Sequence, residues 1–395
     1  MAGRKENVWS VNVSYTLLHI ATWSFYSVIL SFSGNILSEF GLSDSQISLV
    51  LGMSSAASLV VQLMIGEAGR KGRTPRTILL LGIVMLTGNL IVSASGVPVG
   101  CRLIAYCVCC MMVHLFPGLC NGLGMDSIRR GSATNYSLAR GMGSLGYSLF
   151  AYITGILVRF FGSRMVPVLA GGSALMLIAA VLWYQKAVVS GTSEMAVSEK
   201  AKAKDTLFLK AYPRFKAFLV GSLLLQVSHG LIGNFMFQIM RLKQGGAMEQ
   251  GLATAICAIV ELPVMFLFPV MMRKVSCGKW VRFAAVLMLG KPLGIFLADS
   301  PNGVYLAQTT QMLGYGLYAI SSVNYVEKLV KQGDSVRAQS YLGASITAGS
   351  FIALFSGGYL CQYFGVQTML LISCTCAAAG SLLVGLTVRK NDTDS

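Results

Sequence analysis

Two charged residues stand where charge is costly. Glu261 and Lys291 each lie deep inside a long apolar segment, and of the 15 acidic and 31 basic side chains in the sequence they alone do so. At the centre of a bilayer such a charge costs roughly 2.5 to 3.5 kcal/mol on insertion scales, so it faces a protein interior or water and finds a partner there. The two segments are consecutive and antiparallel, with both residues near mid-depth, which lets the pair approach. A carboxylate so placed can take up a proton or a polar group of a ligand, with the neighbouring ammonium governing how readily it does so. The alternative is a permanent structural ion pair, although apolar side chains would fill that role at lower cost. Pro263 and Pro292 follow the two charges closely. Each removes a helical hydrogen bond, leaving the Ile259 and Met288 carbonyls free beside the charged residues, and such breaks are tolerated where they line a cavity. Proline kinks also serve packing alone.

The three histidines, His19, His114 and His229, are intramembrane by the same reading. Imidazole titrates near neutrality and can relay a proton or bond a hydroxyl-bearing ligand. A lone histidine is equally able to satisfy a neighbouring helix, the role assigned to His114. His19 and His229 are read as ligand-facing, the latter with Asn234 further along the same run. Ten cysteines occur singly or as Cys107, Cys109 and Cys110 within one apolar run. None has zinc-site spacing, so they are read as small packing residues and no metal or cofactor is expected.

The elements that must position these groups follow from composition. Hydrophobic residues make up 54% of the chain, charged residues 12%, and the mean hydropathy is +0.66, which leaves lipid as the solvent. About twenty helical residues cross the hydrocarbon. Twelve such segments are placed near 11–34, 46–66, 77–96, 101–124, 139–160, 165–185, 214–238, 250–271, 280–298, 302–325, 338–361 and 364–387. The start, Met-Ala-Gly-Arg-Lys-Glu, is polar and the first apolar run too long for a signal core, so that run is read as span 1. A polar stretch, 186–213, separates a first domain, 1–185, from a second, 214–395. The net charge of +16 falls between the apolar segments: 25 Lys and Arg lie on one side, 5 on the other, and Lys291 within a span. By the positive-inside rule both termini and the linker are cytoplasmic in a cell membrane. A charge so distributed answers to lipid rather than nucleic acid.

The chain also repeats itself. Gly146 to Gly162 and Gly349 to Gly365 match at both ends and at Gly155 with Gly358, an offset of 203 residues, and the same offset carries Arg70-Lys71 onto Arg273-Lys274. That places span 5 over span 11 and span 2 over span 8. A parallel duplication of six spans is the organisation of the major facilitator fold, with a substrate site near the midplane between the halves. The glycines of spans 5 and 11 are read as serving close helix packing.

The residues also carry a family likeness. They are Gly41-Leu42-Ser43-Asp44-Ser45-Gln46-Ile47 before span 2, Gln62 to Gly66 at its end, Leu138 to Tyr147 opening span 5, Glu261 to Phe266 in span 8, and Gly357 to Leu360 closing span 11. The chain resembles the major facilitator branch that contains lactose permease and its oligosaccharide, nucleoside and phenylpropionate relatives. The resemblance implies that Arg140 stands at the span 5 arginine of a sugar site, Tyr147 at the stacking tryptophan, Glu261 at the span 8 carboxylate and Lys291 at the span 9 arginine. Ser144 and Tyr147 follow Arg140 at i+4 and i+7 on one helix face, though Arg140 at the start of the span could also anchor the membrane interface. The chain departs from the family at the span 4 glutamate, which aligns with Gly122 and leaves Asp126 a turn further on. The span 10 histidine and glutamate align with Gln311 and Gly314. Arg70 and Arg73, after span 2, keep the basic character of the gating loop without its aspartate.

The expectation is an all-α membrane protein of the major facilitator fold, with twelve transmembrane helices in two pseudo-symmetric six-helix bundles. It is read as a secondary transporter of a small polar solute such as a sugar, oligosaccharide or nucleoside. Binding is assigned to Arg140, Ser144, Tyr147, His19, His229, Asn234, Lys291 and Gln311, proton coupling to Glu261, and gating to Arg70, Arg73 and Asp126. Its partners are the substrate, protons and lipid, with a monomer expected. A receptor or scaffold derived from a transporter, or an uncoupled facilitator, are the other readings. No GxxxxGK loop and no nucleophile with a paired base is present, so neither ATP-driven transport nor enzyme chemistry is indicated. The sequons at Asn12 and Asn135 fall in or beside spans on the cytoplasmic side and are not read as glycosylated.

Overall fold

The computed structural model describes residues 7–69, 74–188, 209–271, 273, 275–330 and 335–388. Helices occupy every one of the twelve expected segments. The first unit carries α1 (Val8–Ser31), α2 (Ser33–Glu39), α3 (Asp44–Gly69), α4 (Thr74–Ser93), α5 (Val99–Val113), α6 (Phe116–Arg129), α7 (Tyr136–Phe161) and α8 (Met165–Ala187). The second carries α9 (Pro213–Asn234), α10 (Met236–Leu242), the ends of α11 (Ala247–Ile259), then α12 (Glu261–Met271), α13 (Cys277–Leu287), α14 (Gly290–Leu297), α15 (Pro301–Thr309), α16 (Leu317–Leu329), α17 (Ser335–Tyr359) and α18 (Val366–Thr387). Two π-helical turns, Met312–Gly316 and Leu360–Phe364, interrupt this series. Among the described residues 10 helical stretches are long and apolar enough to cross a membrane. The remaining two expected spans are α3 and the broken run from α15 to α16.

Contacts divide the chain into Met1–Val197 with Gln250–Ala255, and Ser198–Glu249 with Ile256–Ser395. In the first unit α1 packs most extensively on α7 and α8, and in the second α9 packs most extensively on α17 and α18. The offset of 203 residues recurs in the backbone itself. It carries Ser33–Glu39 onto Met236–Leu242, and the start of α3 at Asp44 onto that of α11 at Ala247. The break between α1 and α2 falls at Phe32 (φ −108°, ψ 12°), and its counterpart at Phe235 (φ −110°, ψ 24°). Gly162 and Gly365 end the span 5 and span 11 helices at φ 80° and 83°, a left-handed conformation that glycine adopts at no steric cost.

The exterior of each unit is apolar. Leu80, Ile104, Leu306 and Leu386 are each at least 65% exposed, as lipid-facing side chains are. Small hydroxyls sit inside instead and return their protons to the carbonyl four residues back: Ser14 to Ser10 (2.7 Å), Thr22 to Leu18 (2.8 Å), Ser222 to Phe218 (2.9 Å) and Ser321 to Leu317 (2.7 Å). With no water in the hydrocarbon, this internal satisfaction removes the cost of burying them.

Spans 4, 8, 9 and 10 are not continuous helices. Breaks at Val260 and around Met288 lie where Pro263 and Pro292 predict them, since α11 ends at Ile259 and α13 at Leu287. Span 4 breaks between α5 and α6 at the Val113 carbonyl, which Pro117 leaves without its helical amide partner. Span 10 breaks without a proline. Its π turn holds Gly314 and Gly316, and the Gly316 amide reaches back to the Gln311 carbonyl at 2.9 Å. Single π turns of this kind occur mostly within α-helical runs, frequently at functional sites.

Candidate functional site

The breaks in spans 8, 9 and 10 bring three side chains together in the second unit. Glu261 is the first residue of α12, Lys291 the second of α14, and Gln311 immediately precedes the π turn. The expected pairing of the two charges takes an indirect form. Lys291 Nζ donates to Gln311 Oε1 at 3.0 Å, and Gln311 Nε2 donates to Glu261 Oε1 at 2.6 Å. Lys291 also reaches the Cys257 sulfur at 3.4 Å. Lys291 is 5% exposed and Gln311 2%, so both bonds lie in a medium where they are stronger than in water and costly to lose.

His229, on α9, joins this cluster from the side. Its ring lies face to face with Tyr315 of the π turn, with centroids 3.9 Å apart and planes within 3°. Both line a small internal pocket with Ser228, Lys291, Thr310 and Gln311. Ser228 is held by Ser373 through a hydroxyl contact of 2.9 Å. Asn234 closes α9 and takes no part in these bonds.

The first unit builds a separate group on α1 and α7. Arg140 donates to Ser144 at 2.9 Å, one turn on, and its guanidinium stacks over the Trp23 ring at 4.1 Å. One turn back on each helix, His19 meets Tyr136 edge to face at 5.9 Å, and it meets Tyr15 at 4.7 Å. Both nitrogens of His19 are buried without a hydrogen-bond partner among the described residues, as is Trp23 Nε1. A buried polar atom without a partner needs an explanation, and a polar ligand is one. Tyr147 meets Ser31 hydroxyl to hydroxyl at 3.0 Å, at the end of α1. His114 accepts its expected structural role: Nδ1 contacts the Cys110 carbonyl of its own helix at 2.8 Å, and the ring sits against Tyr26.

Arg70 and Arg73 lie outside the described residues, as does the side chain of Asp126. Sequence reasoning missed Trp23, Tyr136, Cys257 and Tyr315. Their signal is helical spacing: Trp23 is four residues after His19, Tyr136 four before Arg140, Cys257 four before Glu261, and Tyr315 four after Gln311.

No curated protein sequence matches the chain. Among solved structures it is similar to the nucleoside transporter NupG, with a TM-score of 0.78 at 12% identity, over 95% of this chain and 98% of that one. It is also similar to a bacterial homologue of the iron transporter ferroportin, with a TM-score of 0.70 at 12% identity over 96% and 99% of the two chains. A peptide transporter, POT, gives 0.67 at 11% identity over 97% and 95%. At such identities the likeness shows the fold: all-helical, in the major facilitator arrangement. The model of the MFS_1-like family matches residues 12–386, nearly the whole sequence, and the chain belongs to that family of multi-pass membrane transport proteins.

Proposed function

We propose that the chain is a secondary active transporter that carries a small polar organic solute by alternating access and is coupled to protons at Glu261. Its halves, 1–185 and 214–395, would move about the linker 186–213, with both termini cytoplasmic and the protein in a cell membrane. The observation that carries this reading is the bridged triad of Glu261, Gln311 and Lys291 at three consecutive helix breaks. A half-buried carboxylate whose partners come from elements able to shift relative to one another changes its proton affinity when they do. The Arg140 and His19 group supplies ligand-facing polar atoms in the first unit, with Ser144 and Tyr147 on the same helix.

Uptake of labelled sugars, nucleosides and organic acids into proteoliposomes, with and without an inward proton gradient, tests the reading. Gradient-driven accumulation is expected in the wild type, and equilibration alone in Glu261→Gln. A ligand that binds the purified protein but is never taken up would defeat the transport assignment. Equal accumulation by Glu261→Gln would remove the proton role. One observation favours uncoupled facilitation as the second reading: Gln311 and Gly314, which do not titrate, stand where the resembled family has its histidine and glutamate. Uptake by the wild type that ignores the gradient would establish it.

A further inference from the structure

The chemistry of the solute is narrowed by the charge balance around Lys291. An ammonium has three donors. Two are engaged, one by the Gln311 oxygen at 3.0 Å and one by the Cys257 sulfur at 3.4 Å, a weak acceptor. Lys291 also lines the pocket that His229 enters. No hydrogen bond to either nitrogen of His229 is made among the described residues, and its stack on Tyr315 at 3.9 Å fixes the plane in which those nitrogens can act. The pocket therefore presents one ammonium donor and one imidazole edge, held in place and facing the same space.

We propose that Lys291 and His229 form a subsite for the carboxylate of a small organic anion, and that protonation of Glu261 makes this subsite receptive. The inference rests on the proton role proposed for Glu261. With Glu261 ionised, the triad of Glu261, Gln311 and Lys291 carries no net charge. A proton that adds to a carboxylate oxygen of Glu261 leaves the Lys291 charge uncompensated in a low-dielectric interior. One carboxylate then restores neutrality: one oxygen accepts from Lys291 Nζ, the other from an imidazole N–H of His229. A neutral solute would leave the charge standing, and a dianion would overshoot it. Proton and anion thus favour each other's binding, and by linkage the coupling is reciprocal. Among the described residues, Cys257 and Gln311 contact Lys291, Gln311 contacts Glu261, and His229 and Tyr315 line the pocket with Lys291. Tyr318, further along span 10, is engaged by Ser222 at 2.6 Å.

The test is ligand-induced thermal stabilisation of the purified full chain, using acetate, lactate and benzoate against acetamide, lactamide and benzamide, below and above neutral pH. Carboxylates are expected to bind more tightly below neutrality and to exceed their amides by about tenfold or more, the worth of one charge-assisted hydrogen bond. Glu261→Gln keeps carboxylate affinity high and removes its pH dependence. Lys291→Gln abolishes the preference for carboxylate, and Lys291→Arg, which keeps the charge, retains it. The comparison of acid with amide needs only the wild type, so a variant that fails to fold does not stall it. Amides that bind as tightly as their acids, or no stabilisation by any of the three acids, overturn the subsite. Proton-driven uptake of a neutral solute would sink this inference while leaving the transport reading intact. Carboxylate binding without uptake would do the reverse.

Discussion

Gln311 gives its amide hydrogen to Glu261 Oε1 at 2.6 Å, and that bond decides which way the amide faces. Lys291 has only protons to offer and needs the oxygen end; ionised Glu261 has only lone pairs and needs the nitrogen end. One orientation of Gln311 satisfies both, and the reverse satisfies neither. A neutral side chain is thereby locked as the spacer between an acid and a base on spans 8 and 9. Spacing the charges weakens their attraction relative to direct contact.

Replacing Gln311 by Leu takes one hydrogen-bond partner from each charge. The Lys291 ammonium loses its oxygen acceptor and half-buried Glu261 a charge-assisted donor, a loss of about 2 to 3 kcal/mol. Thermal unfolding in detergent should show a marked fall in midpoint. Adding Glu261→Gln should change this loss, because the side chain that Gln311 served is then no longer charged. Additive losses in the double variant would show that the two side chains act independently.

In the first unit, Gly143 makes room for the stack of Trp23 on Arg140. A Cβ there would lie 2.5 Å from Trp23 Cδ1, closer than the ring can tolerate. Gly143→Ala should therefore push the indole aside and forfeit a cation–π contact of about 0.5 to 2 kcal/mol. Solute uptake is expected to fall and tryptophan fluorescence to shift. Gly172→Ala, where the added carbon meets nothing within 4 Å, serves as the silent control. Unchanged fluorescence in Gly143→Ala would mean that the stack survives.

The spans and their duplication were legible because hydropathy and glycine spacing are local properties. So were the breaks at Pro263 and Pro292, where a missing amide dictates the result. The π turn before Leu317 was not legible. No proline marks it, and it depends on Gly314 closing against the Leu287 carbonyl and Gly316 against Val264 and Glu261. Gln311 was placed by family likeness as a ligand contact, whereas its amide is occupied at both ends. Trp23 escaped notice although it stands four residues after His19, since which residue of α1 meets Arg140 depends on the register between two helices.

The last carbonyl of α18 is held from two sides. Arg214 at the start of α9 donates to the Thr387 oxygen through Nε at 3.2 Å and Nη2 at 2.7 Å, and the Tyr325 hydroxyl donates to it at 3.1 Å. A cation at a helix C-terminus also meets the negative end of its dipole. Arg214→Ala should cost about 1.5 to 3 kcal/mol and Tyr325→Phe about 1 kcal/mol. Hydrogen exchange at the end of α18 checks this, with faster exchange expected in the arginine variant. The opposite ranking would assign the anchoring to the tyrosine.

The repeat makes a finer prediction at Gly146 and Gly349, which occupy equivalent positions 203 residues apart. They also press on equivalent residues, Ile20 and Leu223, but on different atoms. A Cβ on Gly146 would meet Ile20 Cγ2 at 3.0 Å and Ile20 Cα at 3.3 Å, contacts that a shift of a few tenths of an ångström relieves. A Cβ on Gly349 would meet the Leu223 carbonyl oxygen at 2.7 Å and Gln226 Cβ at 2.8 Å. Backbone cannot give way without separating α9 from α17, and in a bilayer that contact is held by packing rather than by expulsion of water. Overpacking of this kind costs about 1 to 3 kcal/mol. Gly349→Ala should sit at the upper end of that range and Gly146→Ala at or below the lower. Melting of the two variants side by side decides it: equal losses would mean that α9 shifts as easily as a single isoleucine, and that the second unit is less tightly packed around its central helix than its contacts imply.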